Sequence, residues 1–259
     1  APPQEGGETE GAEGAEFRIL VMMPPIPSKR FYKAVRVEAR DGGFAVLLDD
    51  KPVMTPAGAV LVMPTHSLAL VIADEWALAG ERIDLDKMKL TRLAMTAVDR
   101  GATDRALWTD EILKYAGSDL VCYRSTAPAA LVERQRAAFD SILEWAGAKL
   151  GARFAVTTAL QAISQPPDAL DAVARRLASL DAWRLLGTRR AAELSGSAIL
   201  ALALEGAAFR PEDILAAARL DETFQRDRWG EDAEAAAREA RIAAEFQAVA
   251  RWLDLLRRR

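Results

Sequence analysis

The densest group of side chains that could do chemistry is acidic. Asp221, Glu222, Asp227, Glu231, Asp232 and Glu234 fall within one short stretch, interrupted by Arg226 and Arg228, with Trp229 and Gly230 in its middle. Carboxylates gathered this way could act as a glycosidase-like acid/base pair or hold a hard cation such as magnesium. Spacing gives part of the group a plainer account. On a helix, Glu222 and Arg226 form an i,i+4 pair, Asp221 and Gln225 share a face, and Asp232 is placed to cap a helix that begins just after it. An aromatic residue set beside charge is more characteristic of a protein interface than of a catalytic pocket. Two readings of Trp229 stay open at this level: an interface anchor, or a core residue with the acids serving as caps.

Other chemistry is scarce. His66 is the only histidine and Cys122 the only cysteine, which excludes an intrachain disulfide and leaves too few ligands for the usual thiolate or imidazole zinc sites. A Ser-His-Asp or Cys-His apparatus would have to be built around His66. That residue has no acid or cysteine near it in sequence and reads as a surface or packing residue. Cys122, between Val121 and Tyr123, reads as a buried thiol. Gly196 between Ser195 and Ser197 looks a little like a nucleophile turn, but its Ala/Leu-rich surroundings favour close packing inside a helix. No phosphate-binding loop, dinucleotide fingerprint, His-Glu-x-x-His or Gly-x-Ser-x-Gly occurs, so no cofactor is expected. Lys plus Arg number 34 against 38 Asp plus Glu, a net charge of −4, without the basic excess of a nucleic-acid binder. The longest strongly apolar run, Ser197 to Leu204, is far short of the roughly 20 residues that cross a bilayer.

The elements that must position these residues follow from periodicity. Residues 1–16 carry five glutamates and no basic residue and read as a disordered acidic leader, followed by an apolar, Pro-rich arm around 17–27. From Phe31 the period is two. Phe31, Val35, Val37 and Ala39 are expected on one face and Tyr32, Arg36, Glu38 and Arg40 on the other. Asp41, Gly42 and Gly43 form a tight turn into a second strand with Phe44, Val46 and Leu48, and a second hairpin, 53–55 with 60–63, is expected to follow. At Thr65 the period becomes 3.6. Helices are expected over 65–79, 90–99, 104–116, 128–150, 168–180, 181–204, 211–228 and 232–256, with short apolar segments at 120–123 and 154–156 that could be strands. The last helix carries a seam of Ile242, Phe246, Val249, Leu253 and Leu256, better suited to the core than to a partner. The fold class is therefore α+β: a small antiparallel β-rich N-terminal domain over 29–64 and a larger irregular helical domain over 65–259, behind a leader and arm over 1–28.

Several stretches then fall into one pattern: Lys29 to Lys33, Leu48 to Gly58, Glu75 with Trp76, Met88 to Ala94, Asp119 to Arg124 and Glu133 to Gln135. Gly196 with Ser197, Leu200 to Leu204, and Asp221, Glu222 and Gln225 through Trp229 to Glu234 complete it. In this order and spacing the sequence resembles the ATP12 family, assembly chaperones of the F1 sector of ATP synthase. It departs from the pattern at Asp50, Lys51 and Lys89. The resemblance implies a catalyst-free protein that binds the unassembled α subunit and masks its aggregation-prone face until β takes over, without nucleotide hydrolysis. It also points to Asp221, Glu222, Gln225, Trp229, Glu231, Asp232 and Glu234 as client-binding residues. Trp229 would be the anchor, and Glu231, Asp232 and Glu234 would set register against basic client groups. The arm at 17–23 is a second candidate contact. The alternatives are a hydrolase or small-ligand-binding protein using the carboxylates, and a permanent scaffold. The expected compartment is the bacterial cytoplasm, or the mitochondrial matrix for a eukaryotic member.

Overall fold

Residues 29–159, 161–230 and 233–258 are described by the structure, a computed structural model. The leader and arm expected in 1–28 lie outside them. Strands β1 (Val35–Arg40) and β2 (Gly43–Leu48) pair antiparallel with Val35 opposite Leu48 and Arg40 opposite Gly43. Gly42, at φ +85°, supplies the left-handed turn. A Cβ on Gly43 would lie 2.1 Å from the Met63 carbonyl oxygen, so glycine is also required there for the close approach of the next strand.

The second hairpin is replaced by something simpler. Both β3 (Lys51–Pro52) and β4 (Val62–Met63) pair with β2, through Leu47 with Pro52 and Phe44 with Met63. Between them only a bridge, Met54 with Val60, remains of the expected ladder. Phe31 and Tyr32 also exchange places: Tyr32 is buried and Phe31 is 57% exposed. The strand period does not begin until Val35. Before it, Asp49 accepts from the Lys33 and Ala34 amides at 3.0 and 2.9 Å, and the Tyr32 hydroxyl donates to the Trp76 carbonyl at 2.6 Å.

Helix α1 (His66–Ala77) begins at Thr65, whose hydroxyl accepts from the Leu68 amide and donates to the Leu255 carbonyl at 3.0 Å. It packs on β2, with Leu68, Ile72 and Trp76 in one core with Val46 and Leu48. Helices α2 (Lys89–Arg100), α3 (Arg105–Gly117), α4 (Ala129–Trp145), α5 (Pro167–Ala178), α6 (Ala182–Ser195), α7 (Ala198–Glu205), α8 (Pro211–Ala218), α9 (Leu220–Trp229) and α10 (Ala233–Arg257) follow. Glu75 explains its place in the sequence pattern: its carboxylate accepts from the Leu90 and Thr91 amides at 2.9 and 2.7 Å, capping α2. Helices α2, α3, α7 and α10 surround α6. Gly187 of α6 admits Trp252 and Leu253 of α10, which a Cβ would meet at 2.8 and 2.7 Å. Phe246, Val249 and Leu253 are buried and Ile242 and Leu256 partly so, so the seam of α10 serves this core. Among the described residues no helix is long and apolar enough to cross a membrane.

Two long expected helices are each divided. Gly196, at φ +69°, ends α6, and Ser197 starts α7 by accepting from the Leu200 amide at 3.0 Å. Gly196 is thus a helix terminus, not a residue within a helix. Arg219 separates α8 from α9. The apolar segment 120–122 is a 3-10 turn, and the strand expected at 154–156 reduces to one parallel bridge between Tyr123 and Thr157.

Candidate functional site

Stretches far apart in sequence are joined by buried polar groups. Asp119 is fully buried, and its carboxylate accepts from the Ser197 hydroxyl at 2.5 Å, the Ile199 amide at 3.0 Å and the Val121 amide at 3.3 Å. It stands at the N-terminus of α7, where negative charge is favoured. Burial pushes its pKa up to about 6, against the pull of the Ser197 and Ile199 hydrogen bonds. Burial, helped by Asp119, also pushes the Cys122 thiol up to about 12, so Cys122 is a packed thiol and a poor nucleophile.

The chain leaving Cys122 then meets α4. Arg124 donates to the Gln135 carbonyl at 3.0 Å and to Asp140 at 2.9 Å, with its guanidinium 4.9 Å from the Phe139 ring centre. Gln135 is 2% exposed. Its oxygen accepts from the Ser125 amide at 2.8 Å, and its Nε2 donates to Asp221 Oδ1 at 2.8 Å and to Ser125 Oγ at 3.3 Å. Asp221 therefore faces α4. Two more side-chain contacts join α4 to α9: Arg134 lies 5.3 Å from the Phe224 ring centre and pairs with Asp227 at 3.2 Å.

No residue of α9 is buried. Glu222 reaches back to Arg219 at 3.1 Å, and Arg219 is itself held by the Leu194 carbonyl at 3.2 Å and by Glu239 of α10 at 3.7 Å. Trp229 is 74% exposed, which removes it from the core. It lines a cleft of about 550 Å³ between α9 and α10 with Glu222, Gln225, Glu234, Arg238 and Arg241. On the other side of α9, toward α4 and α8, lies an apolar cleft of about 600 Å³ lined by Ala138, Ile142, Phe209, Ile214 and Leu220 among others.

The structure thus gathers Glu222, Gln225, Trp229 and Glu234 at one cleft and turns Asp221 toward α4, while Glu231 and Asp232 lie outside the described residues. The cleft is less acidic than the sequence stretch, because α10 brings Arg238 and Arg241 to it alongside Arg226. These arginines and Gln135 were not singled out as site residues by sequence reasoning. For Gln135 one signal existed, its place in the Glu133 to Gln135 stretch of the family pattern. Among the described residues no three His, Cys, Asp or Glu side chains come together as a metal site.

Comparison with known proteins follows the same lines. The model of the ATP12 chaperone protein family matches residues 29–147. The mitochondrial atp12 protein of Schizosaccharomyces pombe is 24% identical over 219 residues, spanning 80% of this chain and 75% of that one. The crystal structure of Atp12 from Paracoccus denitrificans has a TM-score of 0.84 at 36% identity, covering 88% of this chain and 98% of that one. The Atu1473 protein from Agrobacterium tumefaciens likewise has a TM-score of 0.84, at 40% identity, covering 88% and 86%. With sequence and fold agreeing over nearly nine-tenths of its length, this chain belongs to the ATP12 chaperone family.

Proposed function

We propose that the protein is a holding chaperone for the unassembled α subunit of the F1 sector of ATP synthase, with the surface around α9 as its client-binding face. The observation that carries this reading is Trp229, three-quarters exposed on a helix that buries none of its own residues, in a member of a chaperone family. A large aromatic side chain left in water is the kind of residue that dominates binding energy when a partner covers it. Glu222, Gln225 and Glu234 line the same cleft, and Arg238 and Arg241 make it selective for mixed charge. Such a binder needs no chemical step. Preferential affinity for the lone subunit lowers the concentration of the aggregating species by mass action, and the client passes on when β covers the same contact surface.

The test is retention of purified α and β subunits, separately, on the immobilised full chain. Solitary α is retained and β is not, and Trp229→Ala weakens α retention by about thirtyfold, the size of a 2 kcal/mol hot spot. Glu234→Lys also weakens it. A chain that ignores solitary α sinks the reading. Equal retention by the wild type and Trp229→Ala moves the contact surface elsewhere.

A further inference from the structure

Helix α9 has no fully buried side chain; Leu220 packs partly against the core, and α4 supplies the polar ties. Its side-chain ties to α4 are the Phe224–Arg134 stacking, the Asp227–Arg134 pair and the Asp221–Gln135 hydrogen bond. In the Arg134–Asp227 pair both partners are 53% exposed, so water competes for it. Gln135 is different. It is 98% withdrawn from solvent, and its carbonyl oxygen and backbone are already fixed by the Ser125 amide and Arg124, so its amide group is held aimed at Asp221. If Asp221 moves away, an amide N–H in this enclosed place keeps only the longer contact to Ser125 Oγ at 3.3 Å. The bond also engages one oxygen, Oδ1, of the Asp221 carboxylate and turns the group toward α4.

We propose that Gln135 is a positioning residue for the client-facing helix, and that Asp221 acts through its hydrogen bond to Gln135 and not by touching the client. This rests on the reading of α9 as the client-binding face. It separates Asp221 from Glu222, Gln225, Trp229 and Glu234, with which it shares a stretch of sequence but not a direction.

The experiment measures amide hydrogen exchange across residues 220–229 of the full chain, together with capture of solitary F1 α by the same preparations. Gln135→Leu and Asp221→Ala each speed exchange in α9 by about tenfold while α6 and α7 keep their protection, and each weakens capture by a similar factor. The double variant is no worse than either single one, because both remove the same bond. Asp221 is exposed, so Asp221→Ala leaves the core intact should Gln135→Leu fold poorly. Asp221→Asn keeps an acceptor without the charge and stays within about twofold of the wild type in both measurements. Unchanged α9 exchange in Asp221→Ala overturns the proposal. So does an Asp221→Asn variant that keeps its protection but loses capture, since its charge would then meet the client directly. If the wild type captures no α subunit, the functional reading fails, and the exchange measurement alone still judges the bond.

Discussion

Helices α7 and α9 are both short, eight and ten residues, and stand on either side of α8, yet every residue of α7 is buried and none of α9 is. The difference begins in composition, Ala, Leu and Ile with one acid against three acids and two arginines among ten residues, and it extends to how each helix is tied down. Helix α7 is pinned at both ends by buried carboxylates. Asp119 receives its N-terminal amides, and Glu205 at its last turn meets Arg176 at 2.5 Å and Arg184. Arg257 adds a bond to the Glu205 carbonyl at 2.9 Å, satisfying a carbonyl that the helix end leaves open. Helix α9 has surface pairs, the partly buried Leu220 and one buried donor from α4. One helix is built to hold the molecule together, and the other is carried by it and left facing outward, as a surface that meets a partner requires.

The contrast can be broken most severely at the C-terminal end of α7. Glu205→Ala leaves two arginines facing a fully buried site without their acceptor and lowers unfolding free energy by about 3–5 kcal/mol, read from urea denaturation. A loss under about 1 kcal/mol would show that the pins of α7 matter no more than those of α9.

At the other end, Asp119 carries a pH signature. Its folded pKa, about 6, lies above its ordinary value of 3.8, so the native state takes up a proton before the unfolded chain does. The cost of burying the charge is present in full above pH 6 and is relieved as pH falls toward 4. Stability relative to Asp119→Asn, which does not titrate in this range, therefore rises by about 1–3 kcal/mol between pH 7 and pH 4. A flat difference across that window would mean that the carboxylate is ionised and fully compensated throughout.

The smallest stability effect belongs to α9. Trp229→Ala changes unfolding free energy by no more than about 0.5 kcal/mol, although it is the variant expected to cost the most in client capture. A loss near 2 kcal/mol would place the indole in a packed role and remove the distinction between the two helices.

Much of this was legible in the chain itself. Period-two and period-3.6 patterning located β1, β2 and the greater part of the helices, because a residue's own face is decided by local geometry. The divisions at Gly196 and Arg219 were missed for a physical reason. Apolar periodicity runs through both, and what ends the helices is a left-handed glycine in one case and an irregular arginine with tertiary ties in the other. Phe31 and Tyr32 were exchanged because the alternation was extended backward past Val35, into residues whose direction is set by Trp76 and Asp49.

The acidic stretch was visible as a stretch, but its directions were not. Sequence spacing alone offered Arg226 to Glu222 and Gln225 to Asp221, both four residues away on one helix. Folding added partners that spacing could not name, Arg219 held by Leu194 and Gln135 buried in α4. Composition and order in the sequence determined that this is an α+β chain of the ATP12 family with an aromatic residue set among charges. The tertiary structure decided that Trp229 faces water, that Asp221 faces α4, and that arginines from α10 share the cleft. Burial and hydrogen bonding across helices depend on which surfaces pack together, and that is settled by the whole core at once and not by any one segment.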